Sequence, residues 1–136
     1  MLEKKERRAV FSDLLTEYLY VLIPFVLLLM VKGYMGVWVE IILSPDWSLA
    51  SCIIFGQITT KVSKAIAAPG LKASPEFFGL YTAKRFFLVV IALLFYFGML
   101  VKPTQGLGWA QLILFAVAAR FHFTDGVATY LLLRRK

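Results

Sequence analysis

The chain is poor in the residues that most catalytic and metal sites require. It has one cysteine, one histidine and eight acidic residues among 136 residues. The single cysteine, Cys52, excludes an internal disulfide and any metal site held by several cysteines. The sequence contains no HExxH, GxSxG or Walker phosphate-binding motif and no pair of carboxylates placed for acid–base work. It therefore predicts that the chain is not an enzyme and needs no metal or cofactor.

Apolar residues, in contrast, are in excess. They make up 60% of the chain and the mean hydropathy is +0.78, whereas soluble domains contain about 45–50% apolar residues. A soluble protein of this size exposes much of its surface and could not hide so many large apolar side chains. The composition favours a lipid environment, and the length suits a single domain covering residues 1–136.

Four charge-free stretches divide the chain. They are Tyr18–Val31, Trp47–Thr60, Phe86–Val101 and Pro103–Ala119. Each is somewhat shorter than the roughly 20 residues that cross a bilayer, but Lys and Arg side chains at their ends can reach the lipid headgroups. The stretches are apolar all round, unlike a helix on the surface of a soluble protein. They predict an all-α integral membrane four-helix bundle, with transmembrane helices near 12–35, 45–67, 75–102 and 108–133.

Helix-start signals support these boundaries. Ser44-Pro45-Asp46 and Ser74-Pro75-Glu76 each combine an N-cap residue, a proline at the first helical position and an acid in the first turn. Residues 37–43, which include Trp38, are apolar but too short to cross a bilayer. They predict an interfacial segment between the first two spanning helices.

Positive charge is concentrated on one side of these helices. With four crossings, twelve of the fifteen Lys and Arg residues share a side, so the positive-inside rule predicts cytoplasmic termini and an inner-membrane location. The basic cytoplasmic face includes Lys61, Lys64, Lys72, Lys84, Arg85, Arg134, Arg135 and Lys136. Topology thus explains the net charge of +7, and the sequence shows no aromatic-basic module for direct nucleic-acid binding.

The fourth predicted helix carries polar residues at membrane depth, where ionisable groups are rare and usually functional. At about 100° per residue, a polar stripe runs along one face of this helix. The stripe comprises Gln111, Ala118, His122, Asp125 and Thr129. His122 and Asp125 could touch, and one hypothesis pairs Arg120, on another face, with Asp125 of a neighbouring subunit. The alternative is that Arg120 reaches cytoplasmic phosphates and that the residues from His122 onward already lie in the interface.

The second predicted helix carries a ridge of small residues. The ridge consists of Ser48, Cys52, Gly56 and Thr60, which recur at every fourth position. Such a ridge allows close helix approach in lipid, and the adjacent Gln57 could hydrogen-bond across helices. The ridge fits packing within one subunit somewhat better than a subunit interface. A role for Gln57 with Thr59 and Thr60 in lining a water-filled path is less favoured than either.

Three classes of function fit this layout. The first is an oligomeric inner-membrane subunit that acts with a cytosolic protein partner as membrane anchor or sensor, as the basic face suggests. The second is a pore-forming or ion-permeable effector, and the third is a small-solute transporter, which is disfavoured because no inverted repeat is visible. In size and layout alone, the chain is similar to small multi-pass subunits encoded beside soluble partners in bacterial operons, including antiviral defence and toxin–immunity systems. The expected partners are membrane lipids, further copies of the chain and a cytosolic protein.

Reporter fusions test the predicted topology. Because both termini are predicted to be cytoplasmic, green fluorescent protein fused after Lys136 should fluoresce, and alkaline phosphatase fused there should be inactive. The same phosphatase inserted near residues 103–105 should be active. Active phosphatase at Lys136 would show that the predicted orientation is wrong.

Overall fold

The computed structural model describes residues 3–67 and 75–134, and every regular element in these ranges is an α-helix. The helices are α1 (Lys4–Tyr34), α2 (Trp38–Ile42), α3 (Asp46–Ala67), α4 (Pro75–Val101) and α5 (Gln105–Arg134). Four of the elements, α1, α3, α4 and α5, are long and apolar enough to cross a membrane by length and composition. The predicted all-helical architecture with four long apolar helices is confirmed.

Helix α1 begins at Lys4, eight residues before the start expected near residue 12. A capping box accounts for the early start, because the backbone N–H of Glu3 donates to the Glu6 carboxylate at 3.2 Å. The helix runs through Pro24 and ends before Gly36, whose φ of +73° is accessible to glycine without strain. Residues 4–17, which carry every charged side chain of the N-terminal region except Glu3, are therefore helical and continuous with the apolar part.

Helix α3 lies at the centre of the bundle, packed against α4 on one side and α5 on the other, and α1 packs on α5. In the most apolar 18-residue segment of the α2–α3 region, 50% of the residues are buried. The corresponding segments of α1 and α4 are each only 11% buried. Phe55 and Ile54 of α3 are fully buried. The core of the bundle therefore follows α3, and the other long helices each present one face to it.

An aromatic cluster ties α1, α3 and α5 together at one end of the bundle. The ring of Phe25 stacks on Trp47 at 4.4 Å, and Phe115 packs against both rings at 5.3 and 5.1 Å. The indole N–H of Trp47 donates to the carbonyl oxygen of Ile41 at 2.8 Å, which joins α2 to α3. Trp47 thus faces the protein interior, while Trp38 is exposed.

The outer surface of the bundle is apolar. Leu94 of α4 and Ile113 of α5 are 65% and 66% exposed, and Phe86 and Phe87 are also exposed. A soluble protein rarely leaves apolar patches of this extent in contact with water. This distribution of apolar side chains is typical of a protein whose outer surface contacts lipid or an apolar protein partner.

Close packing of α2 on α5 depends on Gly108. A Cβ at this position would lie 2.7 Å from the carbonyl oxygen of Ile42 and 2.9 Å from the Cγ2 of that residue. Because backbone cannot move aside as a side-chain tip can, we expect Gly108→Ala to lower the stability of the protein by about 1–3 kcal/mol. Thermal unfolding in detergent, followed by circular dichroism, measures the effect.

Gly106→Ala is the matched control, since a Cβ at Gly106 meets nothing within 4 Å. Alanine there should leave stability unchanged or raise it by up to about 1 kcal/mol, because alanine favours the helix. Equal melting temperatures for the two variants would contradict the close contact of Gly108 with Ile42.

Candidate functional site

The polar stripe of α5 faces the interior of the bundle. Gln111, His122, Asp125 and Thr129 are all buried, and Ala118 between them is fully buried. Each of the three large polar side chains reaches a different part of the chain. The stripe is therefore a series of three separate polar contacts along one helix.

Gln111 joins α5 to the connection between α2 and α3. Its Oε1 accepts a hydrogen bond from Ser48 at 2.7 Å, and its Nε2 donates to the carbonyl oxygens of Ile42 and Ser44 at 2.9 and 2.6 Å. Both N–H groups and one lone pair of the amide are used. Gln111 is fully buried, so this contact holds the segment before α3 against α5.

His122 joins α5 to α1. Its Nε2 lies 3.0 Å from the carbonyl oxygen of Leu14, and because a carbonyl only accepts, Nε2 is the protonated nitrogen in this contact. The imidazole ring also packs against Tyr18 and Phe123, with ring centres 5.8 and 5.3 Å away. A backbone carbonyl of α1 therefore satisfies the ring on one edge, and aromatic rings pack against it.

Asp125 joins α5 to α4 through a bidentate ion pair. The Nε of Arg85 donates to Oδ2 at 2.8 Å and Nη2 donates to Oδ1 at 3.2 Å. The hydroxyl of Tyr81 donates to the same Oδ2 at 2.5 Å. The guanidinium carbon lies 4.2 Å from the ring centre of Phe121 and 4.8 Å from that of Tyr81.

This cluster of Tyr81, Arg85, Phe121 and Asp125 is the most strongly connected polar site among the described residues. The side chains of Arg85 and Asp125 are 14% and 9% exposed. The planar guanidinium matches the carboxylate with two parallel hydrogen bonds, and both of its faces are favourable for aromatic contact. Chemically, the site neutralises a buried carboxylate and fixes α4 against α5.

The structure corrects two expectations about these charges. Arg120 is exposed, and Asp125 is occupied by Arg85 of the same chain, so the hypothesis that Arg120 pairs with Asp125 of a neighbouring subunit does not hold for this arrangement. Arg85 belongs to the predicted basic cytoplasmic face, and the structure turns its guanidinium toward the bundle interior, where it meets Asp125, the only acid of the α5 stripe. His122 and Asp125 bond to different helices, not to each other.

The ridge on α3 is covered at one end and open at the other. Ser48 is buried on Gln111, Cys52 is half-buried, and Thr60 is exposed with its hydroxyl bonded to the carbonyl oxygen of Gly56 at 3.0 Å. A Cβ at Gly56 would meet nothing within 4 Å. Gln57 is exposed and makes no hydrogen bond within the described ranges. Among the described residues, the ridge therefore packs inside the subunit at Ser48 and partly at Cys52, and it is open at Gly56 and Thr60.

The remaining predicted cations lie in different surroundings. Lys61 forms an ion pair with Glu17 of α1, and Lys64 and Lys84 are exposed. Arg134 ends α5. Lys72, Arg135 and Lys136 lie outside the described residues. At the opposite end of the bundle, Lys32 pairs with Glu40 at 2.5 Å.

The sequence contains a signal for the Arg85–Asp125 pair, although assigning cations to one side of the membrane does not use it. Tyr81 and Arg85 are four residues apart on one helix and therefore share a face. Asp125 is the only acid of the fourth predicted helix, and no cation shares its face of that helix. Within residues 3–67 and 75–134, no three His, Cys, Asp or Glu side chains are grouped to hold a metal ion. Comparisons with protein-family models, with curated proteins and with solved structures found no match to the chain.

Removing one partner of the buried ion pair should destabilise the bundle strongly. Arg85→Gln leaves the Asp125 carboxylate without a counter-charge, and the expected loss is about 3–5 kcal/mol of unfolding free energy. The double variant Arg85→Gln with Asp125→Asn removes both charges and should recover much of the loss. Unfolding by SDS in mixed micelles provides the measurement.

Two controls give this prediction its specificity. Lys84→Gln removes the neighbouring exposed cation and should change stability by less than about 0.5 kcal/mol. Arg120→Gln should also have little effect, since Arg120 has no ion pair among the described residues. A large loss in Arg120→Gln, with none in Arg85→Gln, would refute the assignment of the Asp125 partner.

Proposed function

We propose that the chain is a four-span inner-membrane subunit with cytoplasmic termini, which assembles with copies of itself and anchors a cytosolic protein partner at the membrane. The observation that carries this proposal is the distribution of polarity. Large apolar side chains cover the outside, whereas Gln111, His122 and Asp125 are buried and hydrogen-bonded inside. Lipid favours this arrangement because it solvates the apolar surface and offers polar groups no hydrogen bonds.

The helix lengths agree with a bilayer of ordinary thickness. A hydrocarbon core of about 30 Å corresponds to about 20 helical residues. Counted from Val101 at the end of α4, this length reaches Tyr81; counted from Leu107 on α5, it reaches Val127. Arg85 would then lie about one helical turn inside the cytoplasmic boundary and Asp125 about half a turn inside it, a depth at which a charge needs a partner.

Self-assembly is supported by the open part of the α3 ridge. Gln57 lies near the middle of α3 (Asp46–Ala67), so in a bilayer it would face lipid close to the midplane. An amide without partners in hydrocarbon is unfavourable by several kcal/mol on alkane-based scales, as a rough guide. A second copy packed on the same face would let the two Gln57 amides bond to each other, and Gly56 permits close backbone approach.

The anchoring role is supported by the cytoplasmic end of α1. A helix of 31 residues is about 46 Å long, about 16 Å more than the hydrocarbon core. The excess carries Lys4, Lys5, Arg7 and Arg8 as a continuous helical extension. A rigid charged extension offers a docking surface for a soluble protein. The α5 stripe, in contrast, is engaged in contacts within the chain, which disfavours its use as a pore lining.

A pore-forming effector is the second candidate, favoured by the polar surroundings of the open ridge. Two grooves of about 400 and 720 Å³ flank Gly56 and Thr60. Their linings include Thr59 and Ser63 on one side and Gln57 and Lys61 on the other. Several copies that turned this face toward a common axis would line a path with these groups.

Cysteine cross-linking tests the assembly face. In a Cys52→Ala background, Gln57→Cys should form disulfide-linked dimers in isolated membranes under mild oxidation, because two copies meet at this residue. Leu94 is also exposed but lies on the apolar outer face of α4, so Leu94→Cys should remain monomeric. Efficient cross-linking of the Leu94 variant alone would place the interface on α4 instead.

The variant Gly56→Leu distinguishes the anchoring role from the pore-forming role. A Cβ at Gly56 meets nothing within 4 Å in the subunit, and the rest of the leucine side chain would project over the open ridge, so the assembly should be lost while the fold is kept. The anchor role predicts that a stoichiometric soluble protein co-purifies in mild detergent and that expression leaves the membrane potential unchanged. Depolarisation by the natural sequence that Gly56→Leu abolishes would favour the pore.

A further inference from the structure

The cytoplasmic end of α1 carries opposite charges on opposite faces. At about 100° per residue, Lys4, Arg7 and Arg8 lie within about 60° of Phe11, whereas Asp13 and Glu17 point about 120–160° away from it. Glu17 forms an ion pair with Lys61 of α3. The acidic side chains are therefore directed toward α3, and the cations share the face that carries Phe11.

A groove between α1 and α5 opens on this basic face. Its volume is about 710 Å³. Its lining consists of Lys4, Arg7, Arg8, Val10, Phe11 and Val127. The ring of Phe11 stacks on Phe123 of α5 at 5.5 Å and remains 55% exposed. The groove thus combines an apolar floor with a cationic rim.

The three cations of the rim have no ion pair within the described residues. Glu3 and Glu6, the nearest acids in sequence, are bonded together at the start of the helix, where the N–H of Glu3 donates to Glu6. Asp13 lines a separate groove together with Glu17 and Lys61. The positive charge of the rim is therefore available to an anion from outside the chain.

We propose that this groove binds an anionic phospholipid of the cytoplasmic leaflet, with its phosphate on Arg7, Arg8 and Lys4 and the upper part of an acyl chain on Phe11 and Val127. The inference rests on the membrane insertion proposed above. On the count of about 20 residues per span, Val127 lies at the hydrocarbon boundary, and Arg7 lies about one turn beyond Phe11, at headgroup level. Arginine binds phosphate oxygens bidentately, and the apolar floor matches the chain that follows them.

Binding of dioleoylphosphatidylglycerol to the detergent-solubilised protein, measured by native mass spectrometry against dioleoylphosphatidylcholine, tests the site. We expect Arg7→Gln to weaken phosphatidylglycerol binding about five-fold, the effect of one cation at an anionic lipid surface. Lys5→Gln is the matched control, because it removes the same charge from the same helix about 120° away from Phe11. Its affinity should stay within about two-fold of the natural sequence, since its charge lies outside the groove.

Three results would overturn the site. Equal losses in Arg7→Gln and Lys5→Gln would show diffuse attraction to the whole basic face. Equal affinity of the natural sequence for phosphatidylcholine would show that no anion is recognised. Competition by glycerol 3-phosphate at the concentration of the lipid would show that the apolar floor contributes nothing, so that the groove binds a free phosphate and not a lipid.

Alkaline carbonate extraction separates failure of the site from failure of the membrane proposal. If the natural sequence stays in the membrane pellet but shows no preference for phosphatidylglycerol, the lipid site is wrong and the four-span proposal stands. If carbonate releases the chain from the membranes, both are wrong. Circular dichroism of Arg7→Gln should match the natural sequence, because Arg7 is exposed and forms no ion pair within the described chain.

Discussion

A polar side chain in hydrocarbon has to find its hydrogen bonds inside the protein, because lipid supplies none. In the membrane arrangement proposed above, α5 meets this requirement three times, and each time the partner belongs to a different segment. Gln111 bonds to the α2–α3 connection, His122 to α1 and Asp125 to α4. These contacts fix the position of α5 along the other segments, since apolar contacts alone are non-directional and tolerate sliding.

The Arg85–Asp125 pair illustrates what such a contact contributes. Removing two charges from water is unfavourable by several kcal/mol per ion as a rough guide, and good geometry is needed to offset that penalty. The bidentate arrangement, the Tyr81 hydroxyl and the aromatic face of Phe121 supply that geometry. The net gain over an apolar pair of the same size is small. Its main contribution is specificity, because a shift of α4 by one residue along α5 would separate the charges.

The parts of this structure that could be predicted from sequence are those governed by local patterns. Long charge-free stretches and the start signals at Ser44 and Ser74 predict four apolar helices, and the helical period indicates that Gln111, His122 and Asp125 share a face. The partners of these residues are distant in sequence, and spacing along one helix carries no information about them. The positive-inside rule counts Arg85 with Lys84 because both lie near the same connection between helices, although the two side chains point in different directions on a helix.

The start of α1 and the ridge of α3 show two other limits. Residues 4–9 precede the first apolar residues at helical spacing, Val10 and Leu14, so the start of the helix at Lys4 depends on the capping of Glu3 by Glu6 and on the helix that follows. The four-residue spacing of Ser48, Cys52, Gly56 and Thr60 shows that small residues share a face, but not what covers it. Ser48 is enclosed because Gln111 of α5 packs on it, whereas no side chain covers Gly56 within 4 Å of a Cβ position.

The position of α5 in the chain has a consequence for biosynthesis. Ribosomes deliver the helices in order, so in the membrane arrangement proposed above α1, α3 and α4 enter the bilayer before the segment that carries Gln111, His122 and Asp125. During that interval the Arg85 guanidinium lacks its carboxylate, and the carbonyl oxygens of Ile42 and Ser44 lack the Gln111 amide. The nascent protein is thus an incomplete intermediate until its last helix emerges, and quality-control proteases or insertion chaperones would meet it in that state.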